Sequence, residues 1–476
     1  MIDIKEAISN LQITRPAKAG AFYIATTIIT KAIALFASPI FTRLLTPEEY
    51  GVFSLYLSFS GILSVVVSLG ITGGAMYKAL GKFKDNEEEL VSGVLSVLFS
   101  LSALLLVFTA VFRKFTSQIT GLSLFFNIIL ITDVFLNCAE NVIFAVFRYK
   151  YSYLKICIVN LLYALISNGG AIILIYLTPL AAEARIIASF SATIFLIFPL
   201  IKGFLKPKIY QEAIKYILRL SLPLLPSAVS MTLIAQSDKL ILKYYYGTGE
   251  LGKYSIAYSV GFLLTTLTAA LYTALQPWII RKLNYGKTDL AKALGEKIVL
   301  LTTLGLISFL LLAHEFFIAF AAPEYHEAEI AVYPLAVAGY FQFISNLVGI
   351  NIVHAEKTYV ISAFSIFSLL LNVILNFLLI PHFSYPVAAV TTALAYATIA
   401  FLEYSYLKLY RINSVMTKKA FTFLFLSALA IPIYLLSDFF LTRMLLLAAV
   451  LLIAVLPAIS VSKMLLEKTK NRAILE

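Results

Sequence analysis

Apolar residues in this chain fall into long runs separated by short polar gaps. Fourteen runs have about the 20 residues that a helix needs to cross a bilayer. They are 21–44, 52–76, 91–112, 119–147, 154–177, 186–204, 217–244, 254–280, 298–321, 330–353, 359–380, 386–407, 420–436 and 444–464. They are too long and too continuous for barrel strands, which take about ten residues of alternating polarity. In hydrocarbon every backbone polar group must be bonded internally. The pattern therefore predicts an all-α polytopic membrane protein with about 14 transmembrane helices. Ahead of the first run, Ile4, Ile8 and Leu11 recur at helical spacing. That spacing fits a short amphipathic helix on the membrane surface and equally a frayed terminus. The segment 1–18 has no signal-peptide core.

Composition supports lipid as the solvent. Only 13% of the 476 residues are charged, and the mean hydropathy is +0.92. A soluble fold would have no polar surface to show to water. The net charge of +12 invites a nucleic-acid reading, which the positions of the charges exclude. With the N-terminus inside, the inner loops and both tails hold 28 of the 37 Lys and Arg residues. The outer loops hold Arg43, Arg113, Lys114, Arg185, Lys243, Lys253 and Arg443, while Lys31 and Lys239 lie within runs. This bias places both termini in the cytoplasm and requires an even number of spans. Cys138 and Cys157 form no CxxC pair, and the four histidines form no HExxH motif, so neither a disulfide framework nor a metal site is expected. A GxxxxGK[ST] phosphate loop is also missing, which argues against ATP hydrolysis on this chain. No cofactor is expected.

The chain repeats itself. Glu49-Tyr50-Gly51-Val52-Phe53-Ser54-Leu55 follows the first run, and Glu250-Leu251-Gly252-Lys253-Tyr254-Ser255-Ile256 follows the seventh. Both stretches fall at an outer turn, after runs entering the membrane in the same direction. That predicts two parallel, pseudo-symmetric six-helix bundles, 19–206 and 207–411, related by an axis along the membrane normal. A cytoplasmic or interfacial segment (1–18) precedes them, and two extra helices with a cytoplasmic tail (412–476) follow. A cleft between the bundles is where a transporter would hold its substrate.

Charges inside the spans are costly, about 2.5 to 3.5 kcal/mol each at the bilayer centre on insertion scales. Lys31 lies in the first run. Asp133 and Glu140 lie in the fourth, with Asn137 and Asn141 on nearly the same face. Gln236, Ser237, Asp238 and Lys239 cluster in the seventh. Asn346, Asn351 and His354 mark the tenth, and Asn372 and Asn376 the eleventh. The functional reading is a hydrated cleft lined by these groups. The structural reading is that Asn and Ser hold helices together, and that Asp238 and Lys239 neutralise each other or find other partners. His314 and Glu315 read as interfacial. Pro39, Pro223 and Pro226 punctuate the first and seventh runs, as static kinks or as bends for a rocking bundle.

Two stretches resemble a known family. The first is Phe41-Thr42-Arg43-Leu44-Leu45-Thr46-Pro47-Glu48-Glu49-Tyr50-Gly51-Val52-Phe53-Ser54 with Ser68-Leu69-Gly70. The second is Leu222-Pro223, Asp238-Lys239-Leu240-Ile241-Leu242, Gly247 and Glu250 to Ala257. Both resemble the polysaccharide-export (Wzx-type) flippases of the multidrug/oligosaccharidyl-lipid/polysaccharide exporter superfamily. Lys243 departs from the second motif, standing where a small or apolar residue is expected. The resemblance implies the multidrug-extrusion-type fold. It also implies translocation of a polyprenyl-pyrophosphate-linked oligosaccharide from the cytoplasmic to the outer leaflet of a bacterial inner membrane, for O-antigen, capsule or exopolysaccharide assembly.

For that substrate, Lys31, Arg43 and Lys239 are the candidate phosphate-binding cations, and Asn351 is a candidate for the glycan hydroxyls. Asp133, Glu140 and Asp238 are candidates for ion coupling. A polysaccharide polymerase and a chain-length regulator are implied partners, with membrane lipid around the protein. The rival readings are a multidrug or cation antiporter of the same fold and a lipid II flippase. An enzyme acting on lipid-linked sugars would need a large outer loop, and the longest outer segment is about ten residues around 323–329.

Overall fold

The computed structural model describes residues 15–72, 74–205, 211–412, 414–429, 432–433 and 439–472. The segment containing Ile4, Ile8 and Leu11 lies outside them, as does part of the thirteenth run. Every regular element among the described residues is helical. In order these are α1 (Arg15–Leu44), α2 (Pro47–Ser68), α3 (Gly74–Lys82), α4 (Glu87–Val111), α5 (Arg113–Thr120), α6 (Leu124–Tyr149), α7 (Tyr153–Leu177) and α8 (Ala182–Phe204). There follow α9 (Gln211–Ser221), α10 (Leu225–Gly261), α11 (Leu263–Asn284), α12 (Thr288–Phe320), α13 (Glu329–His354), α14 (Thr358–Leu409), α15 (Lys418–Phe423) and α16 (Phe440–Arg472). Eleven helices among the described residues are long and apolar enough to cross a membrane. Their surfaces carry large apolar side chains in the open, such as Leu177 (77% exposed) and Leu456 (76%). Lipid, not water, satisfies such a surface, and the protein is a multi-pass membrane protein.

Local chemistry explains where the helices depart from the apolar runs. The run 52–76 divides because Leu69 and Gly70 adopt positive φ (48° and 68°), ending α2 and starting α3 separately. Proline lacks an N–H, and Pro223 sits in a 3₁₀ turn, Leu222–Leu224, between amphipathic α9 and α10. α10 bends at Gly247 (φ 83°) and α14 at Ser384 (φ 57°), so each holds two helical segments. Outside the long helices, α5 ends on Gly121 in the left-handed conformation, and Ser123 caps α6.

The chain divides into two compact units: Met1–Leu45 with Tyr56–Leu225, and Thr46–Leu55 with Pro226–Glu476. In the first, α1 packs on α7, α6 on α4 and α8, and α9 on α3 and α4. In the second, α13 packs on α14, α11 and α12, and α12 also packs on α16 and α15.

The second unit contains the repeated motif twice, because it includes the start of α2. Thr46 opens that helix as a capping box. Its N–H donates to Glu49 Oε2 (2.8 Å), and the Glu49 N–H donates to Thr46 Oγ1 (3.4 Å), with Pro47 at the first helical position. The start of α2 then crosses α10 at backbone contact. A Cβ on Gly51 would lie 1.9 Å from the Thr248 carbonyl oxygen, and one on Gly252 would lie 1.9 Å from the Pro47 carbonyl oxygen. Ser54 Oγ and Ser255 Oγ are hydrogen-bonded at 2.5 Å. Residues 47, 51 and 54 each have their counterpart 201 positions later, and every contact is reciprocal. That is the signature of a local two-fold axis between the two copies of the motif. Around the crossing, Tyr50 meets Tyr325 edge-to-face (6.0 Å), and Lys253 pairs with Glu327 (2.8 Å) and Glu250 (3.3 Å).

Candidate functional site

Each unit holds a sealed carboxyl. In the first unit α6 presents Asp133, 5% exposed. Its Oδ2 accepts from the Tyr56 hydroxyl of α2 at 3.0 Å, and its Oδ1 is closed off from solvent without a hydrogen-bond partner. The nearby Thr193 hydroxyl is spent on the Ser189 carbonyl (3.0 Å). Two turns along α6, half-buried Glu140 shares with Asp133 the electrostatic neighbourhood of Tyr163 on α7. Asn137 and Asn141 back-bond along their own helix to the carbonyls of Asp133 (2.8 Å) and Asn137 (3.0 Å).

In the second unit the centre is Asp238 on α10, with 0% exposure. Its Oδ2 accepts from the Tyr254 hydroxyl and, at 3.3 Å, from Thr392 Oγ1 of α14; its Oδ1 accepts the Lys239 N–H at 2.7 Å. The Lys239 ammonium turns elsewhere, to Gln236 Oε1 (3.3 Å) and over the Tyr258 ring (4.1 Å to the centroid). The adjacent charges therefore form no ion pair. One residue before Asp238, the Ser237 hydroxyl donates to Asn372 Oδ1 (3.0 Å). Asn376 Nδ2 donates to the same oxygen (3.2 Å), and Asn376 Oδ1 accepts from Thr391. Asn372 Nδ2 is buried without a partner. Asp238 with Thr392, and Asn372 with Asn376 and Thr391, thus form two oxygen-rich networks of residues at zero exposure on α10 and α14. Hard oxygen donors of this kind suit a proton or a small monovalent cation, and among the described residues no group of three or more His, Cys, Asp or Glu side chains could hold a metal ion.

Polar groups continue along one face of α14. Tyr396 lies four residues beyond Thr392, and its hydroxyl accepts from Gln342 Nε2 of α13 (3.5 Å). Glu403, 1% exposed, follows seven residues later, and its Oε2 accepts from Ser345 Oγ of α13 (2.8 Å). Tyr272 of α11 also faces Glu403 electrostatically.

The remaining sequence candidates stand apart from these centres. Lys31 is exposed on α1. Arg43 is exposed too, and its Nη1 donates to the Pro39 carbonyl (2.8 Å). Asn351 is 1% exposed, with both ends of its amide engaged: Nδ2 to the Val348 carbonyl (3.2 Å) and Oδ1 to the Val415 N–H (3.2 Å). Glu315 makes a bidentate pair with Arg443 (2.6 and 2.7 Å), and that arginine, placed in an outer loop by sequence, is 2% exposed within α16. The second unit also has an apolar cavity of about 920 Å³, lined by no charged residue among the described ones; Phe341, Val390, Phe401 and Phe425 are among its walls.

Sequence reading missed Glu403, Tyr56, Tyr254 and Thr392. Glu403 carried a signal, as a lone carboxylate inside an apolar run. Tyr56 carried none, because in lipid a tyrosine reads as interfacial or apolar, and Tyr254 stood out only as the aromatic position of the repeated motif.

Most of the chain has a multidrug-exporter-type membrane fold. It superposes on a multidrug resistance MATE family transporter of the MOP superfamily in an inward-facing conformation, with TM-score 0.66, 15% identity, and coverage of 82% of this chain and 98% of that one. For the lipid II flippase MurJ in an inward closed conformation the values are 0.69, 16%, 91% and 97%. For a MOP superfamily transporter from Pyrococcus furiosus they are 0.60, 15%, 83% and 96%. Within that fold class, the chain belongs to the polysaccharide biosynthesis protein family, whose model matches residues 40–325. No curated protein matches it significantly.

Proposed function

We propose that the protein is a flippase, not an enzyme. Its cargo is a polyprenyl-pyrophosphate-linked oligosaccharide, carried from the cytoplasmic to the outer leaflet of the inner membrane for surface polysaccharide assembly. One observation carries the reading: a chain of a polysaccharide biosynthesis family is built on an all-helical, multi-pass membrane fold. A glycan assembled on lipid in the cytoplasmic leaflet has an anionic pyrophosphate and a polar sugar, and neither crosses hydrocarbon unaided. Lys31 and Arg43 in the first unit, or Lys239 in the second, are the candidate cations for its pyrophosphate. Asn351 is left out of the binding set, because its amide is committed to backbone groups. The apolar cavity of the second unit suits a hydrocarbon chain.

Transport is driven by ions in this reading. A carboxylate sealed from water has its charge balanced by a proton or a small cation, and Asp238 and Asp133 are both so sealed. One charge moved through 100 mV is worth about 2.3 kcal/mol. Asp238 and Asp133, with Glu140, are assigned to coupling. A polymerase and a chain-length regulator would receive the product on the outer face.

The test is reconstitution of the purified protein in vesicles with a fluorescent polyprenyl-pyrophosphate oligosaccharide, read by quencher accessibility. Transfer at least tenfold faster than in empty vesicles is expected. Acceleration of lipid II or of a cationic dye, with none for the oligosaccharide, replaces the reading with one of the two rivals.

A further inference from the structure

We propose that a pocket between α12, α15 and α16 binds an anionic phospholipid of the bilayer through its phosphate headgroup. The pocket, about 300 Å³, is lined by Glu296, Lys297, Leu300, Lys419, Phe423, Leu456, Pro457 and Ser460. Its occupant is read from the chemistry of those walls. The Lys297 ammonium donates to Ser460 Oγ and lies 3.5 Å from Met464 Sδ. Lys419 faces the same space from α15 with an exposed side chain. Among the described residues, no carboxylate lies within ion-pair distance of either lysine. The one acid in the lining, Glu296, takes the Thr417 hydroxyl on its Oε1 at 2.6 Å.

Two ammonium groups without an ion-pair partner among the described residues and a hydroxyl thus converge on a small space whose other walls, Glu296 apart, are hydrocarbon. Leu456, on the rim, is 76% exposed. This pattern matches an amphiphile: phosphate against the lysines, acyl chain along Leu300, Phe423 and Leu456. Lysine is a point charge that binds phosphate without demanding a planar partner. The volume is at the small end for ligand pockets, right for a headgroup and too small for an oligosaccharide. The pocket also lies at the end of the helices that the Lys and Arg bias assigns to the cytoplasm, where Lys292 and Lys418 add to the positive field. The proposal rests on the membrane fold and this pocket alone, so it stands or falls apart from the flippase reading.

Native mass spectrometry of the full-length protein, titrated with phosphatidylglycerol or phosphatidylcholine, tests it. A basic residue near a membrane surface is worth about fivefold in affinity for anionic lipid. The first phosphatidylglycerol should therefore bind roughly 25-fold more tightly than phosphatidylcholine. Lys297→Gln with Lys419→Gln should erase that preference and leave phosphatidylcholine binding unchanged. Lys419→Gln alone, at an exposed position, should cost about fivefold, and it decides the matter if the double variant does not fold. The proposal is overturned if the variants keep the parent's preference, or if millimolar inorganic phosphate displaces the lipid. It is equally overturned if the variants lose polyprenyl pyrophosphate while retaining phosphatidylglycerol.

Discussion

Asp238 is held by hydroxyls, and the lysine beside it in sequence points away. An i, i+1 pair on a helix projects about 100° apart, so the two side chains meet different neighbours. This arrangement separates the roles of the two charges and makes a sharp expectation. Asp238→Asn keeps an acceptor for Tyr254 and Thr392, so it should leave protein abundance intact. Ion-driven transport should fall at least tenfold, because the group that exchanges a proton or cation is gone. Asp238→Ala should also destabilise the fold, since two buried hydroxyls lose their acceptor at about 1–3 kcal/mol each. Vesicles carrying Asp238→Asn that respond to an ion gradient as the parent does would remove Asp238 from coupling.

At this scale the sequence was only half legible. The carboxylates at 133, 140 and 238 stand out because lipid makes each costly. Their partners do not: Tyr56 lies 77 positions from Asp133, and Ser345 lies 58 from Glu403. Arg443 looked like a loop residue because its partner, Glu315, is 128 positions away.

At the scale of elements, the repeated Gly and Ser were visible as spacing, and the crossing supplies their reason. Gly51 and Gly252 are small because each faces the other helix's backbone, with the partner glycine's nitrogen 3.2 or 3.0 Å from a Cβ built on either. Lipid offers no hydrophobic drive between helices, so close approach and interhelical hydrogen bonds do the holding, as in other small-residue helix contacts. Gly51→Ala and Gly252→Ala should each lower the melting temperature in detergent, and by similar amounts, because the contact is reciprocal. Gly305→Ala in α12 is the control. Nothing lies within 4 Å of its Cβ, and alanine favours a helix by about 1 kcal/mol over glycine. It should be neutral or slightly stabilising. Equal melting temperatures for Gly51→Ala and Gly305→Ala would mean that the crossing does not hold the second unit together. Helix ends were harder to read than helix contents. The breaks at Leu69, Gly247 and Ser384 depend on single backbone conformations, and two of those residues, Leu69 and Ser384, are not residue types that announce a turn by φ.

For the whole molecule, the charge bias and the bends make one argument about topology. Eleven apolar helices alone, an odd number, would put the termini on opposite sides of the membrane. Two of them, however, are Gln211–Thr273, which takes in α9, α10 and the start of α11, and α14; they run to 63 and 52 residues and contain the bends at Gly247 and Ser384. A 52-residue helix is about 78 Å long at 1.5 Å per residue, more than twice the roughly 30 Å hydrocarbon core. Each of these elements is therefore expected to cross twice, with its bend outside. The apolar run 420–436 of the sequence is the expected last crossing, which would make fourteen. Reporter fusions at Lys84, Lys287, Lys357 and Lys419 should then report cytoplasm, and fusions at Gly247, Glu324 and Ser384 the outside. The pairs Gly247–Lys287 and Lys357–Ser384 decide most, because each brackets one crossing whose existence depends on a bend. If either pair reports the same side, that helix does not cross twice, and the even count demanded by the lysine and arginine bias must be found elsewhere.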